Sequence, residues 1–83
     1  MAMNKDTIIM YGTTWCPDCT RSKRVLAAHE IEYTWIDIDQ EIWAADEVIK
    51  LNNGSKSVPT ILFPDGTVLV EPSDQELETK LGV

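Results

Sequence analysis

The sequence predicts an α/β domain with elements in the order β-α-β-α-β-β-α, a four-stranded mixed sheet flanked by three helices. Three observations carry this expectation. Short β-branched and aromatic runs at residues 7–11 and 32–38 bracket a stretch of helical character that extends to about residue 30. Strand, helix and strand at this spacing form a βαβ unit, so the two strands should be parallel with a right-handed crossover. Further on, Pro64-Asp65-Gly66-Thr67 is a tight-turn signature that sets the next two strands antiparallel.

The first strand, residues 7–11, is closed by Gly12, and either hydroxyl of Thr13 and Thr14 can help cap the helix that follows. That helix buries a stripe made of Val25, Leu26 and Ala28. His29, near its end, reads as a surface residue well placed against the helix dipole. Strand two alternates, with Tyr33, Trp35 and Asp37 on one side and Thr34, Ile36 and Ile38 on the other, Trp35 being packed. Asp37 and Asp39 are cap candidates for helix two, about residues 40–51, which turns Ile42, Ala45, Val48, Ile49 and Leu51 inward. It stops at Asn52-Asn53-Gly54, and Trp43 reads as core or rim. Strand three spans residues 60–63 behind Ser57-Val58-Pro59, where proline is tolerated and a cis bond fits. Strand four covers residues 67–70. Ser73-Asp74-Gln75-Glu76 is a capping box for a last helix that ends at Gly82.

The chain's only two cysteines stand in Trp15-Cys16-Pro17-Asp18-Cys19, at the turn from strand one into helix one. Unpaired backbone N–H groups and the positive end of the helix dipole favour a thiolate there. Cys19 lies one helical turn deeper on the same face, within reach of the first sulfur. Pro17 at the helix start loses no hydrogen bond. An attacking thiolate with a second thiol behind it is what thiol–disulfide exchange requires. A structural disulfide would close too short a loop to constrain the unfolded chain, and a zinc site would lack ligands beyond this pair, His29 and scattered carboxylates.

Eighty-three residues support one modest core, so residues 1–83 are expected to form one domain. No apolar run is long enough for a membrane span, and residues 1–6 are polar rather than signal-like, which with thiol chemistry points to the cytoplasm. A net charge of −7 argues against nucleic acid as a partner. Arg21, Lys23, Arg24 and Lys56 are either solvated surface or a small cationic rim for a carboxylate-bearing thiol.

Taken together, C-P-x-C at the first helix, Val58-Pro59 before the third strand and this element order resemble the glutaredoxin branch of the thioredoxin fold. The resemblance covers essentially the whole chain. It is closest to mycoredoxins and related bacterial redoxins, through Thr14-Trp15-Cys16, the segment from Val58 to Thr67, and Pro72-Ser73. It implies Cys16 as nucleophile, Cys19 as resolving thiol, and a cis Pro59 against the Cys16 sulfur. The Val58 backbone would pair the thiol ligand like an added strand. Thr14, Trp15, Pro17 and Ser57 would border the groove, and Ser73 and Asp74 would offer anion contacts at a helix N-terminus.

Glutathione-using glutaredoxins commonly carry Lys where this chain has Thr13, and Gly-Gly-x-Asp where it reads Val70-Glu71-Pro72-Ser73-Asp74. Mycothiol or bacillithiol is therefore at least as good an expectation as glutathione. Asp18 replaces a common Tyr; it either opposes the thiolate or simply favours the helix dipole. The resemblance implies a monomer that reduces mixed disulfides between proteins and a low-molecular-weight thiol. That thiol is a co-substrate; no cofactor is tightly bound, and electrons return directly or indirectly through a flavoprotein disulfide reductase. Besides an interaction module whose cysteines are idle, two alternatives stay open. One is a dithiol reductant of protein disulfides fed by thioredoxin reductase, like the small redoxins that serve ribonucleotide reductase. The other is a carrier of an iron–sulfur cluster bridged between two chains.

Overall fold

The computed structural model describes residues 7–83, so the polar stretch at residues 1–6 lies outside the described residues. The elements follow the expected order: β1 (Ile8–Gly12), α1 (Pro17–Ala28), β2 (Tyr33–Asp37), α2 (Ile42–Leu51), β3 (Thr60–Leu62), β4 (Val68–Val70) and α3 (Asp74–Leu81). The sheet order is β2-β1-β3-β4. β1 and β2 are parallel, with Met10 opposite Trp35, and β3 runs antiparallel to both β1 and β4. This is the thioredoxin-type α/β arrangement, with β1 central and β2 at an edge.

Side-chain alternation along β1 divides the interior in two. Ile8 and Met10 point to one face and meet Val25 and Leu26 of α1, Leu77 of α3, and Ile61 and Phe63. Tyr11 points to the other face, where it meets Ile38 and Ala44 and Val48 of α2. Helices α1 and α3 thus cover one side and α2 the other, so each strand can be apolar on both faces. Met10, Leu26, Ala44, Val48 and Ile61 are fully buried. At about 1.5–3 kcal/mol for each large side chain, this group dominates the drive to fold.

Three sequence expectations need correction. In α2, Ile42 is 81% exposed and Ile49 lies at the surface, while Ala44 and Val48, one turn apart, make the buried contact. With Ala44 and Val48 facing Tyr11 and Ile38, Ile42 and Ile49 fall on the outer side of the helix. In α1 the inward residues are Cys19, Ser22, Val25 and Leu26, and Ala28 is exposed. The helix ends there because Glu30 takes a left-handed φ of 54°. Asp37 and Asp39 do not cap α2. Its N-cap is Glu41, without a side-chain cap bond, while Asp37 Oδ1 accepts from the Asp39 N–H and tightens the turn before it.

Candidate functional site

Cys16 is the N-cap of α1, in extended backbone (φ −88°, ψ 114°), and Pro17 occupies the first helical position. An N-cap side chain points back over the first turn, where serine or aspartate would accept from a free N–H. Here sulfur does so: the Cys19 N–H donates to Cys16 Sγ at 3.1 Å. The Cys16 thiol in turn points at the Val58 carbonyl, 3.7 Å away. The Val58–Pro59 peptide bond is cis. Residues 42 positions apart in the chain are thereby brought onto one sulfur atom.

Cys19 sits behind Cys16 and is 1% exposed. Both cysteines are free thiols. Burial, then the hydrogen bond and charge of Cys16, push the Cys19 thiol up to about 12, against a smaller opposing pull from the Thr13 backbone and from Lys23. At neutral pH Cys19 therefore keeps its proton. Gly12 explains how the sulfur fits. A Cβ at this position would stand 2.6 Å from Cys19 Sγ and 2.7 Å from the Trp35 ring, closer than any real side chain sits. Glycine at the end of β1 is a condition for placing the second cysteine.

The groove residues expected from sequence fall into two groups. Thr14, Trp15, Pro17, Ser57, Val58 and Pro59 belong to the two segments that meet at Cys16. Trp15 is 70% exposed, and its indole N–H donates to Asp39 Oδ2 at 2.9 Å, tying the cysteine turn to the loop after β2. On the other side, Thr60 Oγ1 donates to the Ser57 carbonyl and accepts from Asn52 Nδ2, both at 2.8 Å, which fixes the backbone just before the cis bond.

Ser73 and Asp74 form the second group, at the start of α3. Ser73 Oγ accepts from the Glu76 N–H while Glu76 Oε1 accepts from the Ser73 N–H, a complete capping box. Asp74 meets Arg21 of α1 at 3.3 Å, and the same guanidinium meets Asp18 at 3.3 Å. The structure thus answers what Asp18 does: it pairs with Arg21 one turn on. Of the four cations that read as either solvated surface or a cationic rim, two are engaged. Arg21 is held between two carboxylates, and the Lys23 ammonium lies 3.4 Å from the Trp35 ring centroid. Sequence periodicity could have paired Asp18 with Arg21, but the contact with Asp74 needed the fold. Among the described residues no three His, Cys, Asp or Glu side chains converge as a metal site. No described helix is long and apolar enough to cross a membrane.

The glutaredoxin family model matches residues 8–69. A Mycobacterium tuberculosis protein named as a glutaredoxin is 40% identical over 74 residues, spanning 89% of this chain and 88% of its own. Mycoredoxin 1 of Corynebacterium glutamicum is 35% identical over 74 residues, spanning 89% of this chain and 91% of its own. Among solved structures, the glutaredoxin of Methanosarcina mazei superposes with a TM-score of 0.79 at 26% identity, over 100% of this chain and 84% of its own. The methanoredoxin of Methanosarcina acetivorans, at 24% identity over 95% and 87%, shares the fold with a TM-score of 0.83. A cysteine pair at a helix start opposite a cis-proline, matched by this family over most of the chain, makes the protein a member of the glutaredoxin family and a thiol–disulfide oxidoreductase.

Proposed function

We propose that the protein reduces mixed disulfides between proteins and a low-molecular-weight thiol, with Cys16 as nucleophile. The observation that carries this reading is the setting of Cys16 Sγ, which takes the Cys19 N–H at the first turn of α1 and faces the Val58 carbonyl before cis-Pro59. The Cys16 thiolate attacks the small-thiol sulfur of the mixed disulfide. The new S–S bond joins Cys16 to the small thiol, the old one breaks, and the client protein leaves as a thiolate that takes up a proton. A second molecule of the small thiol attacks this adduct, leaves as the symmetrical disulfide and restores Cys16. A flavoprotein disulfide reductase then reduces that disulfide.

Cys19 offers the competing route, attack on the Cys16 adduct to give an internal disulfide. Burial is the largest cause of its raised pKa. That cause persists when Cys16 is thiolated, so resolution by free thiol should be the faster path at neutral pH. In this reading the Val58 backbone pairs the bound thiol and Pro59 lies against its sulfur, while Thr14, Trp15, Pro17 and Ser57 rim the groove. At Ser73 and Asp74 it is the Asp74 backbone N–H that would meet its polar end, since the Ser73 N–H and hydroxyl are engaged in the capping box and the Asp74 carboxylate faces Arg21. With Arg21 and Lys23 engaged, Arg24 and Lys56 are left to meet a carboxylate-bearing thiol, and the relative named mycoredoxin 1 makes mycothiol the first thiol to test. The reading takes residues 1–83 as one domain acting as a monomer in the cytoplasm.

The test is turnover of Cys19→Ser with mixed disulfides of mycothiol, bacillithiol and glutathione, each supplied with its own thiol and reductase. The variant should keep most of the wild-type rate with one of them, and Cys16→Ser should be inactive with all. If Cys19→Ser is dead with all three while the wild type reduces a protein disulfide, the protein is a dithiol reductant and this reading is wrong.

A further inference from the structure

A second surface adjoins the Cys16 turn through the hydrogen bond from Trp15 to Asp39. Beyond Asp39 lies a groove of about 440 Å3 lined by Trp35, Ile36, Asp37, Gln40, Glu41 and Trp43. It runs between the end of the edge strand β2 and the first turn of α2. Its chemistry is uneven. Asp37 and Glu41 contribute two carboxylates, and among the described residues no lysine or arginine lines it. Asp39 flanks it, and Asp46 follows Trp43 by one helical turn, exposed.

The aromatic walls differ from each other. Trp35 already carries a cation, since Lys23 Nζ lies 3.4 Å from its centroid. Among the described residues no cation lies over Trp43, which is 55% exposed. Its indole N–H donates to Glu41 Oε2 at 3.2 Å, which holds ring and carboxylate side by side. Ile42 beside it is 81% exposed. Large apolar side chains left in solvent along a groove that the Trp15–Asp39 bond joins to the cysteine turn mark a contact surface rather than a packing one. An indole face beside a fixed carboxylate suits a guanidinium, which stacks on the ring and donates to the acid at once.

We propose that this groove docks a basic segment of the client protein, with an arginine near the thiolated cysteine stacking on Trp43 and pairing with Glu41 and Asp37. The proposal rests on the thiol-exchange reading above and adds a choice among clients to it. The groove recognises the protein half of the mixed disulfide, while the Val58 side receives the small thiol. Charge complementarity acts chiefly on encounter, so the preference should show in the second-order rate and weaken with salt.

The experiment uses short cysteine peptides capped as 2-hydroxyethyl disulfides, one with arginines and one with serines flanking the cysteine. Reduced protein consumes the disulfide, releasing peptide and mercaptoethanol thiols as Cys16 and Cys19 are oxidised to an internal disulfide. Bis(2-hydroxyethyl) disulfide serves as the substrate without a peptide. The arginine peptide should react about tenfold faster than the serine peptide at low ionic strength. That advantage should shrink at high salt and in Glu41→Gln and Trp43→Ala, with the rate on the small disulfide unchanged. Equal rates for the two peptides, or an arginine preference that survives in both variants, would overturn the docking proposal while leaving the exchange reading intact. Failure of the wild type on the small disulfide as well would overturn both.

Discussion

Gly12 and Thr13 show how tightly single residues behind the cysteines are constrained. Gly12 has Cys19 Sγ and the Trp35 ring on the side where a Cβ would go. Neither can retreat easily, because Cys19 is buried on α1 and Trp35 packs against the α1 core while carrying Lys23. Gly12→Ala should therefore cost about 1–3 kcal/mol, the usual penalty for overpacking. Urea unfolding of the reduced protein measures it, and an unchanged midpoint would mean that the sulfur and ring can move aside. Thr13 is the opposite case. It is buried, and its Oγ1 has no hydrogen-bond partner among the described residues. Replacing it with the isosteric valine removes a desolvated hydroxyl and nothing else, so Thr13→Val should leave stability unchanged or raise it by about 1 kcal/mol. A clear loss in the same urea experiment would show that the hydroxyl has a partner after all.

Helix α3 is the element whose sequence signals and structure agree most closely. Ser73 and Glu76 exchange both capping hydrogen bonds, and Gly82 ends the helix at a left-handed φ of 77°. With only eight residues and one buried side chain, Leu77, the helix depends on its caps. Ser73→Ala should cost about 1 kcal/mol and, by fraying the turn that holds Asp74 against Arg21, loosen the contact between α3 and α1. Hydrogen exchange of the α3 amides would register this, and unchanged protection would show that tertiary packing alone holds the helix. Helix α2 was less legible. The expected inward set of Ile42, Ala45, Val48, Ile49 and Leu51 included Val48 correctly, but only packing against Tyr11 and Ile38 shows that Ala44 joins it while Ile42 and Ile49 turn out. The site divides in the same way. The spacing of Cys16 and Cys19 brought them together from sequence alone, because an N-cap side chain reaches the residue three positions on, whose N–H it accepts. The Arg21 contact with Asp74, the bond between Trp15 and Asp39, and the groove beside Trp43 join segments whose proximity only the folded chain establishes.

The whole molecule should show a stability plateau that falls on both sides of neutral pH, for different reasons. On the acid side, hydrogen bonds from Lys80 and Thr67 hold the Asp65 carboxyl well below the usual carboxylate range. Bonds from the Ser73 backbone and hydroxyl lower Glu76. The unfolded chain takes up these protons first, at about pH 4, so their stabilising contribution is complete above that value and lost as pH falls through the folded pKa values. Both groups are solvent-facing, so the loss should be gradual and salt-sensitive. On the alkaline side, burial raises Cys19 from its ordinary 9.0 to about 12, and burial together with Glu47 raises Tyr11 from its ordinary 10.0. Here the unfolded chain releases protons that the folded chain retains, so rising pH favours unfolding. The Cys19 contribution is complete below about 9 and is lost on the way to about 12. Urea midpoints of the reduced protein across pH test both limbs: Asp65→Asn should flatten the acid limb only, and Cys19→Ser the alkaline limb only. Because burial is the first cause for both groups of the alkaline limb, that limb should persist in high salt while the acid limb weakens. An alkaline limb unaltered in Cys19→Ser would assign it to Tyr11 and remove the physical ground for resolution by free thiol over Cys19.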